Sequence, residues 1–239
     1  SLPAAIADAQ GGDTIVLLRK CTANNINVTK SVTIDGNGYT LSGSTLFNVA
    51  SDAELTLENA EISADTVVEN CYGSVVLNST GDSGIGCGCF IHTVYEGGSV
   101  EINGGNVTAE DAIIYTTEAG SDLVITGGTL ISTGDYGLGG WTSDDEGGVY
   151  GNLTISGGSI ASEYEAIDYY GSTLKIEDGV FNADYPITVY GGTAEISGGE
   201  FTSNDDVCVY IYDGGTVDIS GGTFTSYNNA CVFSYKGTV

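Results

Sequence analysis

Lys175, Glu177 and Glu195 are the residues whose types and spacing could support catalysis. Lys175 and Glu177 alternate along one short segment, and Glu195 occupies the equivalent place in the next segment. A lysine can act as a base and a pair of carboxylates as acid and nucleophile in polysaccharide cleavage. A cross-strand ion pair on a solvated surface explains the same three residues. We therefore keep them as candidates, and the prediction is that no residue is catalytic.

Aromatic residues recur at a regular interval in the second half of the chain. The recurring set is Tyr170, Tyr190, Tyr212 and Tyr235, joined by Tyr210 and Phe233. A column of exposed aromatic rings is typical of a contact surface for sugar rings or for a neighbouring subunit. Rings stacked along such a column would equally stabilise the fold itself.

The only tryptophan lies in a longer segment that carries three acids. Trp141 is followed by Asp144, Asp145 and Glu146, and projecting loops are where binding residues tend to lie. The segment is interpreted either as a contact site or as an ordinary surface bulge. Its three carboxylates are the metal candidates, with Ca²⁺ as the ion, although the prediction is that the protein has no cofactor.

Two of the six cysteines occupy equivalent positions, Cys208 and Cys231. Their predicted separation of one strand spacing allows a disulfide, and two stacked apolar thiols are the alternative.

Four Asn-X-Thr/Ser sequons would accept glycans in a host that makes them. They begin at Asn27, Asn78, Asn106 and Asn152. Chance explains such sequons in a chain rich in Asn, Ser and Thr.

An internal repeat indicates the elements that position these residues. The glycine pair 198/199 recurs at 221/222, 23 residues later, and similar pairs precede it. Each unit contains three short runs rich in Val, Ile, Thr, Tyr and Phe, separated by Gly, Asn and Asp, and no helix of crossover length. The sequence therefore predicts an all-β fold, a parallel β-helix with about 22 residues per rung.

Alternation of side chains within the runs predicts which residues face the core. In the first run Val217 and Ile219 point inward, and the aliphatic pairs of earlier units match them. In the second run Phe224, Phe201 and Phe181 form one inward column. In the third run Val207, Val209 and Ile211 are predicted inside, which leaves Cys208, Tyr210 and Tyr212 outside.

Residues 1–239 are predicted to form a single β-helix domain. Residues 1–12 contain a short capping helix over 2–10, which the glycines at 11 and 12 end. The rungs occupy 13–239, with loop insertions near 78–90 and 134–152. The last rung is incomplete, which predicts either a fragment of a longer protein or an end that docks onto another subunit.

Composition restricts the partners. Lys and Arg number 5 against 32 Asp and Glu, giving a net charge of −27, so nucleic acid is excluded and acidic polysaccharides are repelled unless metal ions bridge. No apolar run reaches membrane-spanning length, so membrane insertion is not expected. The negative charge is interpreted as a feature that keeps a long exposed surface soluble. A role in binding divalent cations is the alternative.

Three segments carry a family resemblance: SLPAAIADAQGGDTIVLL, NINVTKSVTIDGNGYTLSG and GGTVDISGGTFTS. They resemble the right-handed parallel β-helix repeat proteins of bacterial and archaeal cell surfaces, in the pectate-lyase-like superfamily. The resemblance covers nearly the whole chain and implies a right-handed solenoid. It implies no single activity, because the fold hosts lyases, hydrolases, adhesins and filament subunits. Catalytic patterns of the enzymes are missing, since Arg19 lies outside the repeats and His92 stands alone.

These observations predict a non-catalytic extracellular or cell-surface protein, either an adhesin or a self-assembling filament subunit. Its expected partners are further copies of itself, arranged head to tail or laterally, or a surface carbohydrate. The alternatives are a polysaccharide lyase, a glycoside hydrolase or a carbohydrate-binding module on the same β-helix.

Overall fold

The chain forms an all-β parallel solenoid. The computed structural model describes residues 1–80, 83–140, 147–212 and 214–239. The solenoid has about 9 turns, and equivalent positions in successive turns lie about 23 residues apart in sequence. One short helix precedes it at the N-terminus. The predicted fold class is thus confirmed.

The elements follow one another along the chain with short connections. Helix α1 spans Leu2–Asp8, and the strands are β1 (Asp13–Val16), β2 (Cys21–Thr22), β3 (Ile26–Val28), β4 (Val32–Asp35), β5 (Thr40–Val49), β6 (Glu54–Glu58), β7 (Glu61–Cys71), β8 (Ser74–Asn78), β9 (Gly84–Val94), β10 (Ser99–Gly104), β11 (Asn106–Thr117), β12 (Asp122–Ile125), β13 (Thr129–Ser132), β14 (Tyr136–Leu138), β15 (Asn152–Ala161), β16 (Glu165–Tyr169), β17 (Thr173–Ala183), β18 (Ile187–Val189), β19 (Thr193–Ile196), β20 (Glu200–Ser203), β21 (Val209–Ile211), β22 (Thr216–Ile219), β23 (Thr223–Ser226) and β24 (Val232–Ser234).

Parallel pairing arranges the strands into three faces. Face one contains β1, β4, β6, β8, β10, β12, the first halves of β15 and β17, β19 and β22. Face two contains β2, the first halves of β5, β7, β9 and β11, then β13, the second halves of β15 and β17, β20 and β23. Face three contains β3, the second halves of β5, β7, β9 and β11, then β14, β16, β18, β21 and β24.

The core consists of columns of like residues, one from each turn. On face one, Leu174 pairs with Ala194 and Ala194 with Val217, and all three are buried. On face two, Phe181 pairs with Phe201 and Phe201 with Phe224, and neighbouring rings stack with centroids 4.8 and 4.6 Å apart. The predicted inward columns of faces one and two are confirmed.

The glycine pairs lie at the corner between faces one and two, and each member has a reason to be glycine. A Cβ atom on Gly198 would collide with the carbonyl oxygen of Glu177 in the turn below. Gly199 has a φ of 98°, in the left-handed region that side chains disfavour. The corner therefore requires both glycines.

Helix α1 begins with a proline in its first turn and covers the first turn of the solenoid. Leu2 and Ile6 are buried against the core, which fits the predicted cap. Lys30 donates hydrogen bonds to the carbonyl oxygens of Ala7 and Ala9, at 3.0 and 2.6 Å. An ammonium group at this end satisfies carbonyls that have no partner within the helix.

Two predictions on local structure are wrong. Much of the segment predicted as a loop near 78–90 belongs to β9, because pairing with β7 on one side and β11 on the other outweighs its many glycines. Cys208 is fully buried instead of facing outward. It precedes β21, at a corner where strict alternation no longer applies, whereas Val209 and Ile211 follow the predicted parity.

Replacing Phe201 by Ala tests the columns. The ring is fully buried and stacks on a neighbour above and below, so we expect a loss of about 3–5 kcal/mol in the free energy of unfolding. Chemical denaturation measures the loss. Tyr227→Ala is the control, because Tyr227 is 71% exposed. Equal losses in the two variants would contradict the predicted packing.

Candidate ligand-binding groove

A groove of about 1130 Å³ lies where the chain passes from face two to face three. Its lining comes from five successive turns, from Gly43 on β5 through β7, β9 and β11 to the segment around β14. It is lined by the acids, imidazole and phenols of Asp65, His92, Glu110, Asp111, Tyr115, Asp135 and Tyr136, and by the thiols of Cys87 and Cys89. Sequence reasoning did not identify this groove.

The groove exists because four long strands, β5, β7, β9 and β11, continue through the bend without a turn. Gly88 lies at the bend of β9, where a Cβ atom would approach the carbonyl oxygen of Asp65 to 2.7 Å. The register between β9 and β11 shifts between Ala109 and Ala112, so that β11 has one residue more than β9 there. Such a bulge redirects side chains. The two residues between these alanines, Glu110 and Asp111, are both exposed in the groove.

The floor of the groove is aromatic and partly apolar. Cys89, Ala112 and Tyr115 form a small buried cluster separate from the main core. The ring of His92 stacks on Tyr115, with centroids 5.0 Å apart and planes at 23°. Gly140 faces the Tyr115 ring closely, since a Cβ atom there would lie 2.5 Å from Cδ2.

The walls carry only negative charge. Asp65, Glu110, Asp111 and Asp135 line the groove, and the described lining contains no Lys or Arg. Asp65 accepts a hydrogen bond of 2.7 Å from the hydroxyl of Ser44. Burial raises the pKa of the Cys87 thiol to about 12, and the charges of Glu110 and Asp111 add to the effect. The groove thus favours neutral or cationic ligands over anionic ones.

The predicted tyrosine column exists, at the corner between faces three and one. Ring centroids are separated by 4.4 Å for Tyr170 and Tyr190, 5.4 Å for Tyr190 and Tyr212, and 5.5 Å for Tyr212 and Tyr235. Tyr150 extends the column by one turn. Because Tyr170 and Tyr190 are nearly parallel, at 5°, their broad faces contact one another.

Stacking within the column therefore leaves ring edges, more than ring faces, for a ligand. The neighbouring Tyr210 and Phe233 stack at 5.5 Å on face three, away from the groove. These contacts support a role in stability, and a role of the column in binding stays a prediction.

The three catalytic candidates come together as an exposed ion pair and its neighbour. Lys175 Nζ lies 3.9 Å from Glu195 Oε2, and both side chains are about half exposed. Glu177 lines the same shallow depression of about 200 Å³ on face one. An exposed pair of this kind adds at most about 1 kcal/mol to stability.

Glu165 and Asp168 are acids that sequence reasoning missed. All five residues of β16 are buried, and these two carboxyl groups are 5% and 3% exposed. Burial raises the pKa of both above the usual range, and the charge of Glu165 raises that of Asp168 further. No local pattern marks these acids as buried, and the column of Asp168 continues with Thr188, Tyr210 and Phe233 in later turns.

The predicted disulfide is absent, and all six cysteines are free. Cys208 points into the core, where its Sγ lies 3.5 and 3.2 Å from the carbonyl oxygens of Phe201 and Thr225, so that its one S–H can donate to either. Cys231 is half-buried and donates to the carbonyl oxygen of Phe224. The two residues are neighbours, as the repeat indicates, but behave as small apolar thiols.

The remaining candidates are placed as follows. The sequon residues Asn27, Asn78, Asn106 and Asn152 are exposed, and their glycosylation stays a prediction. Trp141, Asp144, Asp145 and Glu146 lie outside the described residues. Within the described part of the chain, no group of three or more His, Cys, Asp and Glu side chains is arranged to hold a metal ion.

Comparisons with protein families, with curated proteins and with solved structures find no match to this chain. The described residues contain no helix that is long and apolar enough to cross a membrane. The β-solenoid fold is shown, whereas the family resemblance of the sequence segments stays a prediction.

Thiol labelling tests the placement of the cysteines. Burial raises the pKa of Cys71 and Cys87 to about 12 and that of Cys208 to about 11, so few thiolates form at pH 8. We expect iodoacetamide to label the half-buried Cys21 and Cys231 in the folded protein, and the others only after unfolding. Peptide mass spectrometry identifies the labelled sites. A pair that resists labelling in denaturant without reductant would contradict the free thiols.

Proposed function

We propose that the protein is a non-catalytic adhesin, extracellular or on the cell surface, that holds a neutral or cationic glycan chain in the groove. The observation that carries this proposal is the shape and chemistry of the groove. It is open, follows the solenoid axis, has an aromatic floor and is lined by hydrogen-bonding acids.

The length of the groove suits an extended oligosaccharide. Its lining residues begin at Gly43 and end at Gly140, across five successive turns. With about 4.8 Å between turns, this corresponds to roughly 20 Å along the axis. A chain of linked sugars lying along the axis would place its rings beside equivalent positions of consecutive turns.

The groups in the groove match the chemistry of a sugar. Carboxylates accept hydrogen bonds from sugar hydroxyls, and charge-assisted bonds of this type are stronger than neutral ones. The His92 and Tyr115 rings supply an apolar surface beneath them. The negative walls disfavour uronic acids and accept amino sugars.

The positions of the acids with raised pKa values favour a binding role over a hydrolase role. A glycosidase needs a carboxylic acid with a raised pKa at the sugar. Glu165 and Asp168 have raised pKa values, yet neither lines the groove and both are buried. The acids that do line it, such as Asp111 and Asp135, are exposed.

Binding measurements with matched oligosaccharides test the proposal. We expect β-1,4-linked glucose and glucosamine oligomers to bind, and galacturonate oligomers not to bind, in isothermal titration calorimetry. Asp111→Asn and Asp135→Asn should each weaken binding by roughly 10-fold, because each replaces a charge-assisted hydrogen bond by a neutral one. Asp218→Asn is the matched control, since Asp218 is an exposed acid on face one.

Two further outcomes decide between this function and its alternatives. Release of reducing sugar ends from any bound oligomer would show an enzyme. Concentration-dependent growth in mass by light scattering, together with no binding of any oligomer, would favour the self-assembling filament subunit.

A further inference from the structure

Two buried carboxyl groups neither line the groove nor belong to the hydrophobic core. Glu165 and Asp168 lie on β16, three positions apart, with 5% and 3% of their surface exposed. Carboxylates in such positions are expected to be paired with a cation or fully hydrogen-bonded.

One oxygen of Asp168 lacks such a partner. Its Oδ1 atom is buried and has no hydrogen-bond partner. Glu165 accepts one hydrogen bond, of 2.8 Å, from the hydroxyl of Thr188. Within the described residues, neither carboxyl group forms an ion pair. The salt bridge found there joins Lys175 and Glu195.

The surroundings of the pair are rich in oxygen. Thr188 is the register partner of Asp168, and Tyr136 is that of Glu165. Burial raises the pKa of Tyr136 to about 12, and the charges of Glu165 and Asp168 raise it as well. Burial and the charges of Glu165 and Asp168 also raise the pKa of Tyr190. The phenol groups of Tyr136 and Tyr190 therefore both lie close to the pair.

Backbone also comes close to Asp168. A Cβ atom on Gly139 would lie 2.7 Å from the Asp168 Cβ, so only glycine leaves room beside this side chain. The pair thus lies beneath the start of the glycine-rich segment that follows β14 and beside tyrosine side chains.

A shared proton does not resolve the arrangement. It would require an O–H···O hydrogen bond between the two carboxyl groups, and the structure contains none between Glu165 and Asp168. Protonation in the absence of a cation agrees with the raised pKa values of both groups, but it leaves Asp168 Oδ1 without a hydrogen-bond partner. A cation compensates both charges and supplies the missing partner.

We propose that Glu165 and Asp168 bind a divalent cation, for which Ca²⁺ is the best match. Ca²⁺ takes six to eight oxygen ligands in flexible geometry, and two carboxylates with the Thr188 hydroxyl and water provide oxygens. Mg²⁺ demands stricter geometry at shorter distances. With only two acids, the site belongs to the weak class, with a dissociation constant of about 10⁻⁴ to 10⁻³ M, which suits extracellular calcium.

Thermal unfolding of the metal-free full chain tests the site. Addition of 5 mM Ca²⁺ at pH 7.5 should raise the melting temperature of the wild type by roughly 5 °C. Asp168→Asn and Glu165→Gln keep the shape of the side chain and remove its charge, so both should fold and show no such rise. Asp218→Asn, on the exposed surface of face one, should keep it.

Direct binding is measured with Tb³⁺, whose luminescence is excited through nearby tyrosines. We expect a saturable signal in the wild type that Ca²⁺ displaces and that Asp168→Asn abolishes. NaCl at matched ionic strength controls for screening of the acidic chain. Equal Ca²⁺ shifts in the wild type and Asp168→Asn, or the same shift with NaCl, would overturn the proposal. So would a wild type that shows no Ca²⁺ shift.

Discussion

In-register parallel pairing between turns is the constraint on which the whole structure depends. Between the first and last turns, each strand pairs with strands of the turn before and the turn after, so a side chain has its equivalents as nearest neighbours. Similar side chains must therefore be compatible with one another at about one strand spacing. Phenylalanines meet this condition by stacking in the core, and tyrosines meet it at the corner. Among the described acids, all but the buried Glu165 and Asp168 meet it by reaching water.

Pairing also explains which parts of the fold could be predicted. In straight strands, the two-residue alternation and the 23-residue repeat give the same assignment, and residues such as Ile196 and Phe201 lie where both patterns place them. At corners the alternation ends, and Cys208 is buried against expectation. The glycines of β9 indicate a loop in isolation, but hydrogen bonds to strands on both sides impose an extended conformation.

The groove and the buried acid pair were beyond sequence reasoning for different physical reasons. Glu110 and Asp111 look like any outward acids, and only the bulge in β11 directs them into a concave surface. Asp168 also occupies an ordinary outward position of its strand. Its burial results from groups distant in sequence, including Gly139 and Tyr190. Both features are products of three-dimensional neighbours that no local pattern specifies.

The passage of β7, β9 and β11 through the bend has a thermodynamic consequence. Their backbones are hydrogen-bonded to adjacent turns along most of the groove, so its walls form part of the regular ladder instead of loops. A receptor that is already rigid loses little conformational entropy when it binds. Most of the ordering cost of association would then fall on the flexible ligand, and stiffer ligands of the same composition would gain affinity over more flexible ones.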